Sequence, residues 1–176
     1  MTGKLILYQG GRGNIQKGLD LLIEAFAAEP DPHLYIDSPV EFEVLSNYKT
    51  ELSLSNIHYY EWQSSLPGGM RSILEKCAFV LHAGMNFGQS TVLVGALYYG
   101  LVPVVTNEAN LGLGDLEIRI DAPSVPSIQQ AIRQASQMQL PEILARSNAT
   151  VKAYATSFSP SAFKAGFRTA ISEISA

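Results

Sequence analysis

Short apolar runs alternate with amphipathic stripes along most of the chain, and this alternation limits the fold more than any single residue does. Residues 4–8 form a first apolar run that leads straight into Gln9-Gly10-Gly11-Arg12-Gly13-Asn14, the pattern of a strand ending in a glycine-rich loop. Leu19, Leu22, Ile23 and Phe26 follow at i, i+3, i+4 and i+7, with Asp20 and Glu24 among the polar positions. That is one apolar stripe of a helix, stopped by Pro30 and Pro32. The unit then recurs in type. Strands are predicted at residues 33–36, 57–60, 79–81 and 102–105, with a shorter one at 117–120, and helices at 41–52, 70–76 and 90–99. From Val125 onward the pattern is mostly helical, interrupted near Pro141 and Pro160.

Strands that alternate with helices need crossover connections, which give a mainly parallel sheet with helices on both faces. Right-handed crossovers make the expected fold a Rossmann-like α/β sandwich. With no linker, repeat or low-complexity segment, residues 1–176 read as a single domain whose tail helices start at about residue 125. Ligands of such sheets sit beyond the carboxyl ends of the strands. The loops at residues 10–17, 60–67, 82–91 and 106–115 are therefore where chemistry is expected.

Composition narrows the function. At 47% hydrophobic and 16% charged residues the chain can build a core, which excludes intrinsic disorder. A net charge of −4 provides no basic footprint for nucleic acid. The lone Cys77 excludes an internal disulfide and a cysteine-based zinc site, and it is expected to pack as a small apolar residue. No apolar run reaches the roughly 18–20 residues of a membrane span, and the start of the chain lacks a signal-peptide pattern. The expected compartment is the cytoplasm, or a membrane surface reached through a partner.

Two segments could carry chemistry. In Gly10-Gly11-Arg12-Gly13-Asn14-Ile15-Gln16-Lys17-Gly18, glycines let backbone approach a ligand, and Arg12 and Lys17 supply two cations ahead of a helix. This suits a phosphate or diphosphate; it equally describes a plain turn with two solvated cations. The order Lys-Gly without a following Ser or Thr departs from a P-loop, and the dinucleotide spacing GxGxxG is absent. The second segment, Asn86-Phe87-Gly88-Gln89-Ser90-Thr91, joins a buried strand to a helix, with Ser90 as the expected N-cap. His33, His58 and His82 show no metal or triad spacing and are expected to be structural. The sequon Asn148-Ala149-Thr150 reads as a chance match.

Arg12 and Lys17 followed by Gly18-Leu19-Asp20-Leu21-Leu22-Ile23-Glu24-Ala25-Phe26 resemble the "GR…KG…LIEAF" opening of the C-terminal domain of retaining glycosyltransferases of the GT-B fold, the group 1 (family 4) class. The stretch from Gly88 to Val105 is similar to that family's "EGxSxxxLEAxxxGxPVV" signature. The resemblance runs from Lys4 to about Asp115. It implies a domain that binds a nucleotide-diphosphate sugar, with no metal and no further cofactor. Arg12 and Lys17 would hold the donor phosphates and act in catalysis. Gly10, Gly11, Gly88, Gln89, Ser90 and Thr91 would line the donor site, and Trp62 and Leu66 would meet the base. For Trp62, core packing is the competing reading.

Two departures stand out. The family's paired glutamates, one facing the transferred sugar and one the ribose, align with Phe87 and Gly95. The acceptor-binding N-terminal half also has no counterpart in these residues. Two readings follow: the donor half of a transferase completed by a longer chain or a partner subunit, or a degenerate domain kept for binding or assembly. Phe87, Met85 and Trp62 are expected on an exposed, partner-facing patch. At Gly95 three explanations stand: simple loss of the carboxylate, a close approach that leaves no room for a side chain, or replacement of the carboxylate by Glu108 or Asp115.

Overall fold

The computed structural model describes residues 5–60, 69–85, 90–109 and 111–174. Six strands alternate with helices: β1 (Leu5–Gln9), α1 (Leu19–Ala27), β2 (His33–Asp37), α2 (Phe42–Asn47), β3 (Ile57–Tyr60), α3 (Gly69–Leu74), β4 (Phe79–His82), α4 (Thr91–Tyr98), β5 (Val102–Thr106) and β6 (Ile118–Ile120). Three helices follow: α5 (Val125–Gln137), α6 (Leu140–Ala153) and α7 (Pro160–Ile174). The strands form one sheet in the order β3-β2-β1-β4-β5-β6, and every pairing is parallel. This is the Rossmann-like sandwich that the alternation predicts.

The central strands β1, β4 and β5 are short runs buried on both faces, as a sheet covered on both sides requires, whereas the edge strands β3 and β6 are partly exposed. Alternation still divides them. Ile6, Tyr8, Leu34, Ile36, Phe79, Leu81, Val104 and Ile118 pack against Leu22 and Phe26 of α1 and Ile128 and Ile132 of α5. On the opposite face Leu7, Val80 and Val105 meet Ile73 and Leu74 of α3 and Leu93 and Ala96 of α4. Cys77 is buried in that second cluster, where loss of solvent pushes its thiol up to about 12 and leaves it inert.

One predicted helix is corrected. Residues 41–52 do not form a continuous helix: α2 ends at Asn47, a turn follows, and Glu51–Ser53 make a single 3-10 turn. Val44 is the only buried residue of α2, and Phe42 stands 82% exposed. With so little apolar face to bury, tertiary packing does not extend a helix that short. In the tail, Pro141 lies in the first turn of α6 and Pro160 begins α7, where a missing N–H costs nothing. Among the described residues no helix is long and apolar enough to cross a membrane.

Strand order reverses between β1 and β4. From β1 the chain winds outward through β2 and β3; it returns to β4 and winds the other way. At such a reversal the two loops leaving the carboxyl ends diverge and open a crevice. The loops concerned are those after β1 and after β4.

Candidate functional site

These two loops touch through their backbones. The Met85 N–H donates to the Gln16 carbonyl at 3.1 Å. Gly18, which precedes α1 with φ +73°, lies so close to the second loop that a Cβ there would stand 2.6 Å from the Ala83 carbonyl oxygen. A side chain at Gly84 would in turn meet the Lys17 Cα at 3.0 Å. Below this contact the Gly84 carbonyl accepts from the buried Thr106 hydroxyl at 2.8 Å, so β5 supports it as well.

The loop after β1 is also fastened to the loop after β2. The Gly13 and Asn14 N–H groups donate to the two carboxylate oxygens of Glu41 at 2.9 and 3.3 Å. Asn14, fully buried, accepts from the Glu41 N–H at 2.7 Å and donates to the Gly11 carbonyl, the Ser38 hydroxyl and the Pro39 carbonyl. Gly10 and Gly11 open this loop, the Gly10 N–H reaching toward the Asp37 carbonyl. Arg12 is exposed at its crest, and Lys17 Nζ donates to the Arg12 carbonyl at 2.7 Å. The structure therefore brings Arg12 and Lys17 together, with Lys17 partly engaged in closing its own loop.

Beneath them lies His82, the last residue of β4 and only 6% exposed. Burial, with a smaller contribution from the Lys17 ammonium, pushes its imidazole down to about 4, so it is neutral near pH 7. A neutral ring adds no charge beside the two cations.

Across the crevice α4 begins. Ser90 holds the N-cap position in an extended conformation, and its hydroxyl makes no capping bond. Thr91, the first residue of α4, is exposed, and the N–H groups of a helix's first turn have no partner within the helix itself. One turn on, Gly95 lines a cleft of about 240 Å³ together with Gln9, Leu74, Thr91 and Tyr99. Among the described residues a Cβ at Gly95 would meet nothing within 4 Å, so no described backbone supplies the close approach that is one of the three explanations for this glycine. Asp115 lies in a different cleft, with Arg119, Gln134 and Arg146, which places it among the residues of α5, α6 and β6 rather than beside Gly95.

Trp62, Leu66, Phe87, Gly88 and Gln89 lie outside the described residues. Of the patch expected to face a partner, Met85 is described and is 60% exposed. Among the described residues no group of three or more His, Cys, Asp or Glu could hold a metal ion. Sequence reasoning missed Asn14 and Glu41 as a pair. His33 and His58, expected to be structural, share a 2.8 Å nitrogen–nitrogen hydrogen bond between β2 and β3, a pairing the sequence does not show.

No family model matches the chain, and no curated protein does either. Solved structures do. The C-terminal domain of a glycosyl transferase group 1 family protein (LpcC) from Francisella tularensis superposes with a TM-score of 0.72 at 13% identity, over 90% of this chain and 88% of that one. The architecture is that of a GT-B C-terminal domain. WaaG, a glycosyltransferase involved in lipopolysaccharide biosynthesis, matches at 20% identity and TM-score 0.65, over 88% of this chain. Anabaena Alr3699/HepE, solved in complex with UDP and glucose, matches at 12% identity and TM-score 0.75, over 95% of this chain. The chain spans 43% of the length of WaaG and 48% of that of HepE. Likeness at these identities is likeness of fold.

Proposed function

We propose that this chain is the donor-side domain of a retaining glycosyltransferase. It would bind a nucleotide-diphosphate sugar, while an acceptor-binding half in a longer chain or a partner subunit completes the enzyme. The observation that supports this best is that Arg12 and Lys17 share one loop at the reversal of strand order, the Lys17 ammonium reaching the Arg12 carbonyl. When the bond between the anomeric carbon and the diphosphate breaks, negative charge grows on the departing phosphate. Two cations placed against that charge would favour its departure.

In this reading Gly10, Gly11, Gly88, Gln89, Ser90 and Thr91 line the donor, and Trp62 and Leu66 meet the base. Phe87 and Gly95 leave the sugar and the ribose without their carboxylates, so binding rests on the diphosphate. Transfer would proceed with retention and without a metal. The site of action would be the cytoplasm, or a membrane surface reached through the partner.

Calorimetric titration of the chain with UDP, GDP, ADP and their sugar conjugates tests this. Binding of at least one nucleoside diphosphate at micromolar to millimolar concentration is expected. No binding of any of them at millimolar concentration would leave an assembly role as the surviving reading.

A further inference from the structure

The loop after β1 carries a feature that neither the glycine spacing nor the fold requires. At Gly13 the backbone has φ +82°, which turns successive amides to one side and forms a small concave seat for an anion. That seat is already filled. Both oxygens of the Glu41 carboxylate accept from it, one from Gly13 and one from Asn14. The Asn14 side chain closes the arrangement from below by accepting from the Glu41 N–H at 2.7 Å. Asn14 and Ser38, which share a further hydrogen bond, are both fully buried, so this is a built contact rather than a surface coincidence. Glu41 also forms one wall of an open cleft of about 430 Å³, whose other walls include the exposed Arg12 and Phe42.

We propose that Glu41 is a built-in counter-anion of this loop: a positioning residue whose carboxylate occupies the amide seat, fixes the crest carrying Arg12, and keeps phosphate out of the seat. The role assigned to phosphate rests on the donor-site reading; the occupied seat does not. A diphosphate arriving here meets the side chains of Arg12 and Lys17, because the Gly13 and Asn14 amides are already bonded to a carboxylate. The loop is thus held in one shape before any ligand binds, and the ordering cost of binding falls.

Chemical rescue separates this role from ordinary structural bonding. In Glu41→Ala the seat loses its anion but keeps its amides. The Gly13 and Asn14 amide protons should shift in the NMR spectrum, and formate should return them saturably toward their wild-type positions, with chloride far less effective. Wild type should not respond to formate at these amides. A folded Glu41→Ala whose Gly13 and Asn14 amides ignore formate would overturn the proposal. Should that variant not fold, Glu41→Gln keeps the side-chain volume; its Gly13 and Asn14 amides should exchange with solvent about tenfold faster than in wild type, the size of one lost charge-assisted hydrogen bond. Unchanged exchange there overturns the proposal too. Inorganic pyrophosphate added to wild type probes the donor reading separately. It should move the Arg12 side-chain resonance and leave both amides still. Movement of the amides means the seat admits phosphate and the proposal fails. A motionless Arg12 would count against the donor reading, and the formate result would still decide the role of Glu41.

Discussion

The two sides of the crevice are built in opposite ways. The loop after β1 is tied down at every turn: to β4's loop through Gly18 and Ala83, to β2's loop through Asn14 and Glu41, and to itself through Lys17. The amino end of α4 has no such ties in the described residues; Ser90 makes no capping bond, Thr91 is exposed, and the space over Gly95 is empty. A side chain lost from the first region would disturb backbone geometry. One lost from the second changes little except what it would have touched in a ligand. At Gly95 the lack of an acidic side chain therefore costs the fold no contact with any described residue.

Gly18→Ala breaks the tied side most severely. The substitution puts a Cβ 2.6 Å from a backbone carbonyl at a residue held at φ +73°. Strain and overlap together should cost about 4 kcal/mol, read as a lower denaturation midpoint with unchanged slope. An equally stable variant would show that the two loops are not in contact. His82 supplies the next effect. An unfolded histidine takes up its proton near pH 6.5, whereas buried His82 resists until about 4. Between those values the unfolded chain binds more protons, so stability should fall as pH drops through that window, by up to about 3 kcal/mol. His82→Leu should flatten this part of the pH–stability profile. A profile of the same steepness in the variant would assign the loss to other groups.

Arg12→Ala and Lys17→Ala sharpen the comparison without touching the core. Each should weaken nucleoside diphosphate binding by about 1.5–3 kcal/mol through lost charge-assisted hydrogen bonds. Thermal stability should change little for Arg12, which is exposed. Lys17→Ala also removes the bond to the Arg12 carbonyl and should loosen the loop. Unchanged affinity in both variants would place the phosphates elsewhere.

The tied side was also the harder one to read from sequence. Central strand positions are legible because a parallel strand buried on both faces is a short apolar run, and residues 79–81 and 102–105 match β4 and β5 within one residue. Arg12 and Lys17 were legible because they share one loop. Asn14 and Glu41 were not, since they stand 27 residues apart and only the pairing of β1 with β2 brings their loops side by side. The His33–His58 bond was hidden for the same reason, the register of β2 against β3. The helix predicted at residues 41–52 exceeds α2 because the length of so short a helix is set by tertiary packing, and α2 buries only Val44.

The smallest effects belong to the open side and concern Gly95. Glycine inside a helix is less stable than alanine by about 1 kcal/mol, and among the described residues no neighbour gives it a steric reason to be glycine. Gly95→Ala should therefore stabilise the fold by about that amount, the opposite sign to Gly18→Ala. Gly95→Glu asks what the missing side chain would do. Its carboxylate would enter the cleft shared with Gln9 and Thr91, where there is space for it. If that cleft receives the ribose, nucleoside diphosphate binding should tighten by about 0.5–1.5 kcal/mol per hydrogen bond formed, with less gain for a 2′,3′-dideoxy ligand. A folded variant that binds more weakly would mean that the ligand itself fills the space over Gly95. Equal gains for ribose and dideoxyribose ligands would move the sugar out of this cleft.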